Sequence, residues 1–465
     1  MSLLVMKFGG TSVGSASAII QVAEITRDQR TRWDGVGVVV SAMSGVTDLL
    51  IKGAQAALRE RDGFREAAQQ IRVKHRAAIA ELLGEHPEAA AVQAIIDPLL
   101  AEFELLCHSV GVLGELSPRA LDAISGLGER MSAPLVAATM RVRGIPAEAI
   151  DASEVVVTTA EFGGAVPIYP ATRDRIRERL LPLIEQGIVP VATGFVGATE
   201  HGALTTLGRG GSDYSGAIFG AALDADEVAI YTDVDGVMTT DPRQVPDARI
   251  LDSLSYSEMS ELAYFGAKVL HPRTIRPVVE RGIPIRIRNT FNPSHEGTLV
   301  VSQVPAGGRP VKAVTAIKAM SLVTVEGRGM MGVPGMAART FGAVASVGAN
   351  VLMISQASSE QSICFVVPSA NADLVVKALE DGLGQAIARR DIERIESRSD
   401  VVIVTAVGAG MRETPGVAAM VFGALAEHGI NVVAIAQGSS ECAISVVVYA
   451  RDCDAAVRAI HTLTV

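Results

Sequence analysis

A lysine closing an apolar run, followed at once by two glycines, is a combination that could hold a phosphate. The run is LVMKF at 4–8, and the glycines are Gly9 and Gly10 in MKFGGTSVGS. Paired glycines between a strand and a helix let backbone N–H groups approach an anion closely, and the following helix adds about half a positive charge at its N-terminus. Lys7 would be a cation fixed against that same anion, with Thr11 and Ser12 beside it. Because the lysine precedes the glycines, this is not a Walker A loop, whose order is GxxxxGK[ST]. Taken alone, the stretch also reads as a tight turn with a solvated lysine.

Four further segments share this texture. VSAMSGVTD at 40–48 is a strand running into a small-residue turn, and SGLGERMSAP at 125–134 sets a carboxylate, Glu129, at the start of a helix. GFVGATEHGALTTLGRGGSDYSGA at 194–217 packs glycines around Arg209 and Asp213, and YTDVDGVMTTDPR at 231–243 opens charged groups directly off a strand. Ligands of open α/β sheets bind beyond the carboxyl ends of strands, where all these loops would meet.

The elements that must position them are legible as alternation. Short Val/Ile-rich runs at 4–8, 36–43, 145–150, 187–195, 227–233 and 283–289 are separated by helix-like sequence. That pattern predicts a mostly parallel sheet sandwiched by helices, an α/β fold. From about Leu49 to Ala120 the chain is rich in Ala, Leu, Glu and Arg, with helical periodicity and a break at Pro87, which predicts an antiparallel helical pair inserted into the core.

Near 295–318 the texture turns to NPSHEGTLVVSQVPAGGRPVKAV and marks a domain boundary. An internal repeat follows, 325–360 matching 407–441 with a constant offset of 81 from Gly327 and Gly408 onward: Pro334 with Pro415, Asn350 with Asn431, Gln356 with Gln437, Glu360 with Glu441. Each copy reads as a split βαβ unit of ferredoxin-like βαββαβ type. The expected division is a first domain over 1–295, with its helical insert at about 50–120, then repeat modules at 318–395 and 400–465. The intervening 296–317 is a linker that could lend a strand to the second module.

Bulk composition narrows the classes. The 465 residues are 49% hydrophobic and 20% charged, with 45 glycines and a net charge of -10. That length predicts two or three domains. The acidic balance, without any basic block, argues against a nucleic-acid partner. No uncharged run reaches the ~18–20 apolar residues of a spanning helix, so no membrane partner is expected. The N-terminus lacks a basic region before an apolar core, so cytoplasmic residence is the expectation. Cys107, Cys364, Cys442 and Cys453 have no CxxC spacing and read as reduced thiols.

KFGGTS, SAMSGVTD, GERMS, TLGRGGSDYSG, TDVDGV..TDPR and FGAKVLHP together, in this order and across essentially the whole chain, resemble the aspartate kinases of the amino acid kinase superfamily. The tandem repeat resembles the pair of ACT domains that those enzymes carry for feedback control. The helical insert is similar to the longer branch of the family, and MISQASSE to the threonine-controlled enzymes often fused to homoserine dehydrogenase, although no dehydrogenase region is read in this sequence. The resemblance implies ATP-dependent phosphorylation of the side-chain carboxylate of L-aspartate, with Mg2+ bound mainly through the nucleotide phosphates and no metal held by the protein alone. It also implies an amino-acid effector, threonine or lysine, and a homodimer built through the ACT modules.

The roles that follow are those of the resemblance. A carboxylate with a pKa of about 4 is already ionised, so no general base is needed; the site must bring anions together and offset charge on the transferring group. Lys7, with Gly9, Gly10 and Ser12, would hold phosphate, and Asp213 would orient Lys7 or hold magnesium through water, although it also reads as a helix N-cap. Glu129 would meet the substrate ammonium and Arg209 its carboxylate, with Thr47 and Ser212 as smaller donors. Thr232, Asp233, Met238, Arg243 and Lys268 fall on nucleotide-contacting positions; Met238 replaces the usual tyrosine and should give an apolar contact. Asn350, Val351 and Gln356, with Asn431 and Gln437 in the second copy, are the effector candidates, and each amide also reads as a satisfied structural group. Two other classes stay open: a superfamily kinase acting on glutamate or a nucleotide, and an amino-acid sensor without turnover.

Overall fold

The computed structural model describes residues 1–266, 270, 272–304, 309–357, 359–412, 414–438 and 440–464. The chain divides into two compact units: Met1–Val237, Ile250–Tyr256 and Val269–Val304 form the first, and Met238–Arg249, Ser257–Lys268 and Pro305–Val465 form the second.

In the first unit the strands are β1 (Leu3–Phe8), β2 (Gly35–Val40), β3 (Ala147–Ile150), β4 (Val157–Thr158), β5 (Val189–Thr193), β6 (Val196–Thr199), β7 (Leu204–Thr206), β8 (Glu227–Thr232), β9 (Ser253–Ser255), β10 (Ile285–Asn289) and β11 (Thr298–Val301). Eight of them form one sheet in the order β3-β5-β2-β1-β8-β10-β11-β9, parallel from β3 through β10. Every residue of β1 and β2 is buried, which is why they read as continuous apolar runs. All six runs recognised in the sequence lie in this sheet. The short β9 and β11, and a separate sheet β4-β6-β7, have too few residues to show a period.

The first eight helices, all in this unit, are α1 (Ala16–Gln29), α2 (Val46–Arg59), α3 (Arg65–Leu83), α4 (Pro87–Leu113), α5 (Pro118–Ser125), α6 (Leu127–Val142), α7 (Tyr169–Glu185) and α8 (Gly211–Leu223). The expected helical pair is three mutually packed helices, α2 to α4. Pro87 does break the helix, but as the first residue of α4, where its missing N–H costs no bond.

One buried group in this helical segment gives a pH prediction. His75 of α3 is fully buried, with Nδ1 2.9 Å from the Ile71 carbonyl oxygen and Nε2 without a partner among the described residues. Burial pushes its pKa below the ordinary imidazole value. The unfolded chain takes a proton below about pH 6.5 while the buried ring resists, so the stability contributed by the neutral ring is present above that pH and lost as pH falls through and below it. His75→Phe is expected to flatten the decline in thermal midpoint between about pH 7 and pH 5. Parallel declines in variant and wild type would remove His75 from this role.

The chain next forms α9 (Tyr256–Tyr264), almost wholly in the second unit, and α10 (Pro272–Val279), in the first; the second unit then builds β12 (Ala313–Glu326), β13 (Met353–Gln356), β14 (Ser362–Pro368), β15 (Arg394–Val407), β16 (Ala434–Gln437) and β17 (Ala443–Tyr449). They form one antiparallel sheet, β13-β14-β12-β15-β17-β16. The long central strands belong to both halves: Ala313–Ile317 of β12 pairs with Ile403–Val407 of β15, and Met320–Glu326 pairs with β14. Where the register between β12 and β15 shifts, Ala319 and Asp400 both take left-handed backbone, φ 60° and 59°. Glu360 and Glu441 do the same at φ 56° and 52°. Matching strain at the repeat offset is the conformational counterpart of the duplicated sequence. Helices α11 (Met336–Ser346), α12 (Ala372–Gly382) and α13 (Gly384–Ala388) cover the first half, and α14 (Val417–Glu427) and α15 (Cys453–His461) the second, each over its own apolar core.

The four cysteines are free, and burial pushes the Cys107 thiol up to about 12, so it is inert as a nucleophile at neutral pH. Among the described residues no helix is long and apolar enough to cross a membrane.

Candidate active site

A cavity of about 740 Å³ opens in the first unit, beyond the carboxyl ends of β1, β2 and β8. Residues of all five segments singled out in the sequence line it: Lys7, Gly9, Gly10 and Thr11; Thr47; Glu129; Arg209, Ser212 and Asp213; Thr232 and Asp233.

Lys7 is next to last in β1, 7% exposed, with Nζ 2.5 Å from Asp213 Oδ1 in the first turn of α8. A helix can cross this closely because Gly216 lies one turn on: a Cβ there would lie 2.9 Å from Lys7 Cβ. The ion pair pins a long, otherwise mobile cation at one place, and leaves the other carboxylate oxygen of Asp213 for further contacts.

The anion cradle differs from expectation in detail. The N–H of Gly9 is donated to the Tyr231 carbonyl oxygen at 3.0 Å, so it is spent on joining β1 to β8. The N–H groups of Gly10, Thr11 and Ser12 meet no acceptor among the described residues. The Ser12 hydroxyl is fully buried, 2.6 Å from Thr290 Oγ1, and is absent from the cavity lining, which leaves the Ser12 amide as its group for phosphate. Thr11 lines the cavity in its place.

Glu129, in the first turn of α6, is 3% exposed, and its Oε2 has no hydrogen-bond partner among the described residues. Burial pushes its pKa up to about 8, against the opposing pull of the Ala42 N–H, its own N–H and the Lys7 ammonium. A buried carboxylate oxygen facing a cavity without a partner is a site for a cation. Arg209 is exposed on the loop before α8, and Thr47 and Ser212 lie in the first turns of α2 and α8. The cavity therefore carries an acceptor for an ammonium, a planar donor for a carboxylate, and a lysine with bare amides for a phosphate.

Two nucleotide candidates do not line it. Met238 and Arg243 are absent from the cavity lining and belong to the second unit, where Arg243 is forked on Asp241 at 2.7–3.2 Å. Lys268 lies outside the described residues. A charged lining residue escaped notice in the sequence: Asp122, in PRALDAIS, has no glycine-rich motif beside it. Its only signal is helical spacing to Ser125 and Glu129.

In the second unit two cavities repeat each other. One, of about 340 Å³, includes Met330, Pro334, Gly335, Gln356, Glu360 and Ile363; the other, of about 400 Å³, includes their counterparts Met411, Pro415, Gly416, Gln437, Glu441 and Ile444. Gln356 and Gln437 are thus brought to equivalent places. Asn350 and Asn431 are exposed and line neither cavity, and Val351 packs against the apolar core of its half.

The amino acid kinase family model matches residues 2–289, and the ACT domain model matches 323–383 and 404–463, so the fold is that of an amino acid kinase followed by two ACT domains. The bifunctional aspartokinase/homoserine dehydrogenase 1 of Arabidopsis thaliana is 41% identical over 99% of this chain, which spans about half, 51%, of that relative. An aspartokinase of Thermus thermophilus is 35% identical, with 99% of this chain and 98% of that relative covered. Aspartokinase III of E. coli, solved with lysine and aspartate and with aspartate and ADP, superposes with TM-scores of 0.80 and 0.81 at 30% identity over 99% of both chains. The chain belongs to the amino acid kinase family, within its aspartokinase branch.

Proposed function

We propose that this chain transfers the γ-phosphoryl group of ATP to the side-chain carboxylate of L-aspartate, giving 4-phospho-L-aspartate, the first step toward lysine, threonine and methionine. The observation that carries this reading is one cavity holding the Lys7–Asp213 pair together with the partnerless Glu129 oxygen. Lys7 and the Gly10–Ser12 amides offset charge on the phosphoryl group as it moves between two anions, the form of catalysis in which positioning and electrostatics supply most of the acceleration. Glu129 takes the substrate ammonium and Arg209 its α-carboxylate, which leaves the side-chain carboxylate as the nucleophile. Thr47 and Ser212 donate to the substrate, and Thr232 and Asp233 border the nucleotide, with Met238, Arg243 and Lys268 as further proposed contacts.

Among the described residues no group of three or more His, Cys, Asp or Glu could cage a metal. Asp213, whose second carboxylate oxygen stays available beside Lys7, fits a water-mediated contact to Mg2+ carried on the nucleotide phosphates. When bound, the ion supplies positive charge to the phosphate oxygens.

We assign catalysis to 1–295 with its insert at about 50–120, and regulation to the modules at 318–395 and 400–465, joined by 296–317. Threonine or lysine is the proposed effector, at the repeated cavities holding Gln356 and Gln437, with Asn350, Val351 and Asn431 as outer contacts; lysine is bound in one of the solved relatives. The sheet ends in short strands, β13 and β16, whose free edges favour a homodimer through these modules. The proposed compartment is the cytoplasm.

ATP-dependent formation of aspartyl hydroxamate is the direct test. Signal with glutamate and none with aspartate selects another kinase of the superfamily; no signal with any acceptor selects a sensor without turnover. For regulation, threonine and lysine are titrated singly and together. Gln356→Ala and Gln437→Ala are each expected to shift the inhibition midpoint, by a factor within the ~5–150-fold of typical couplings. If neither amino acid changes activity or thermal stability, the effector proposal fails.

A further inference from the structure

Asp122 is the carboxylate in the cavity that the reaction leaves without a role. It is 2% exposed on α5 and lines the cavity with Ser125 at the end of the same helix and Glu129 in the first turn of α6. Unlike Glu129 Oε2, its oxygens are filled. Oδ2 accepts from the N–H groups of Gly163 and Thr206 at 2.9 and 3.0 Å, and Oδ1 accepts from the Thr206 hydroxyl at 2.7 Å. Thr206 ends β7, three residues before Arg209. Gly163 lies in the turn on which the Arg209 loop rests: Gly208 has φ +73°, and a Cβ there would lie 3.0 Å from the Gly163 carbonyl oxygen. The Ala165 N–H, on the far side of that turn, donates to the Thr206 carbonyl at 2.9 Å. One carboxylate thus ties the strand that launches the loop to the turn beneath it.

We infer that Asp122 is the positioning residue for Arg209, setting the guanidinium at the spacing from Glu129 that the two charged ends of an α-amino acid require. This rests on the reading of the cavity as an aspartate kinase site. Asp122 acts through Arg209: three charge-assisted hydrogen bonds occupy it, and they hold the loop more firmly than neutral ones would. An amide in its place loses the charge behind all three bonds and turns its NH2 toward the Thr206 hydroxyl, which must then accept, so the hold on the loop weakens. Misplacement of a binding group by about 1 Å typically costs ~10²-fold, and here the loss falls on recognition of the amino acid.

The test is steady-state kinetics on full-length Asp122→Asn and the milder Thr206→Val. Asp122→Asn is expected to raise KM for L-aspartate ~10-fold or more, and Thr206→Val less, with KM for ATP within about twofold of wild type. In an Arg209→Ala background, Asp122→Asn is expected to add little to the aspartate KM, because both changes remove one interaction. A general structural role would move both KM values together and add fully to Arg209→Ala; either result overturns the inference, as does an unchanged aspartate KM in folded Asp122→Asn. If Asp122→Asn does not fold, Thr206→Val decides by the same criteria. Wild-type protein without aspartate-dependent turnover overturns the kinase reading and this inference together, so the two failures are told apart by where they are seen.

Discussion

Lys7→Ala is expected to lower turnover by ~10²–10³ or more while the protein stays folded. Two observations set that size. Lys7 is buried and fixed by Asp213, so its charge is preorganised and does not have to be recruited when the phosphoryl group moves. It also acts where the Gly9 amide is already engaged with Tyr231, which leaves fewer backbone donors to take over. Lys7→Ala removes the stem as well as the ammonium, so Lys7→Met, which keeps the stem against Gly216 and removes only the charge, is the better folding control. Because Lys7 and Asp213 work as a unit, the double variant Lys7→Met/Asp213→Asn is expected to be hardly slower than the slower single variant. Circular dichroism and single-turnover rates check both points. Near wild-type turnover in a folded Lys7 variant would remove the lysine, and the phosphate reading built on it, from the mechanism.

Glu129→Gln is expected to raise KM for aspartate by ~10²-fold, since it removes the charged partner of a buried ammonium. The pH profile sharpens this prediction. In the free site burial holds the carboxyl protonated until about 8. An ammonium is bound by the carboxylate, so kcat/KM for aspartate should rise with pH toward about 8 in the wild type, and Glu129→Gln should lose that limb. Stability runs the other way. The folded pKa lies above the unfolded one, so the stabilising contribution is complete below the ordinary glutamate value and is lost as pH rises through the folded value. Without substrate, Glu129→Gln should therefore melt higher than the wild type above about pH 8, and saturating aspartate should rescue only the wild type. Identical pH profiles for kcat/KM would show that Glu129 does not meet the substrate ammonium.

Much of this molecule is local and can be seen in the chain itself. Buried parallel strands must be continuous apolar runs, and each of the six runs became a strand of the main sheet. A duplicated unit repeats its side chains, and here it repeats even its left-handed residues at Ala319 and Asp400. Residue types that bind phosphate, ammonium and carboxylate stand in glycine-bearing loops, and their order along the chain marks the family. What folding alone decided is which polar atoms remain available, because the competing partners lie far away in sequence. Gly9 gives its N–H to a strand more than two hundred residues on, and the Ser12 hydroxyl turns inward to Thr290. Asp122 and Glu129 are alike as letters at helical spacing along the sequence; contacts with Gly163 and Thr206 occupy the first, while the second keeps a buried oxygen unmet. Chemistry at this site depends on that difference, and it exists only once the chain has closed around it.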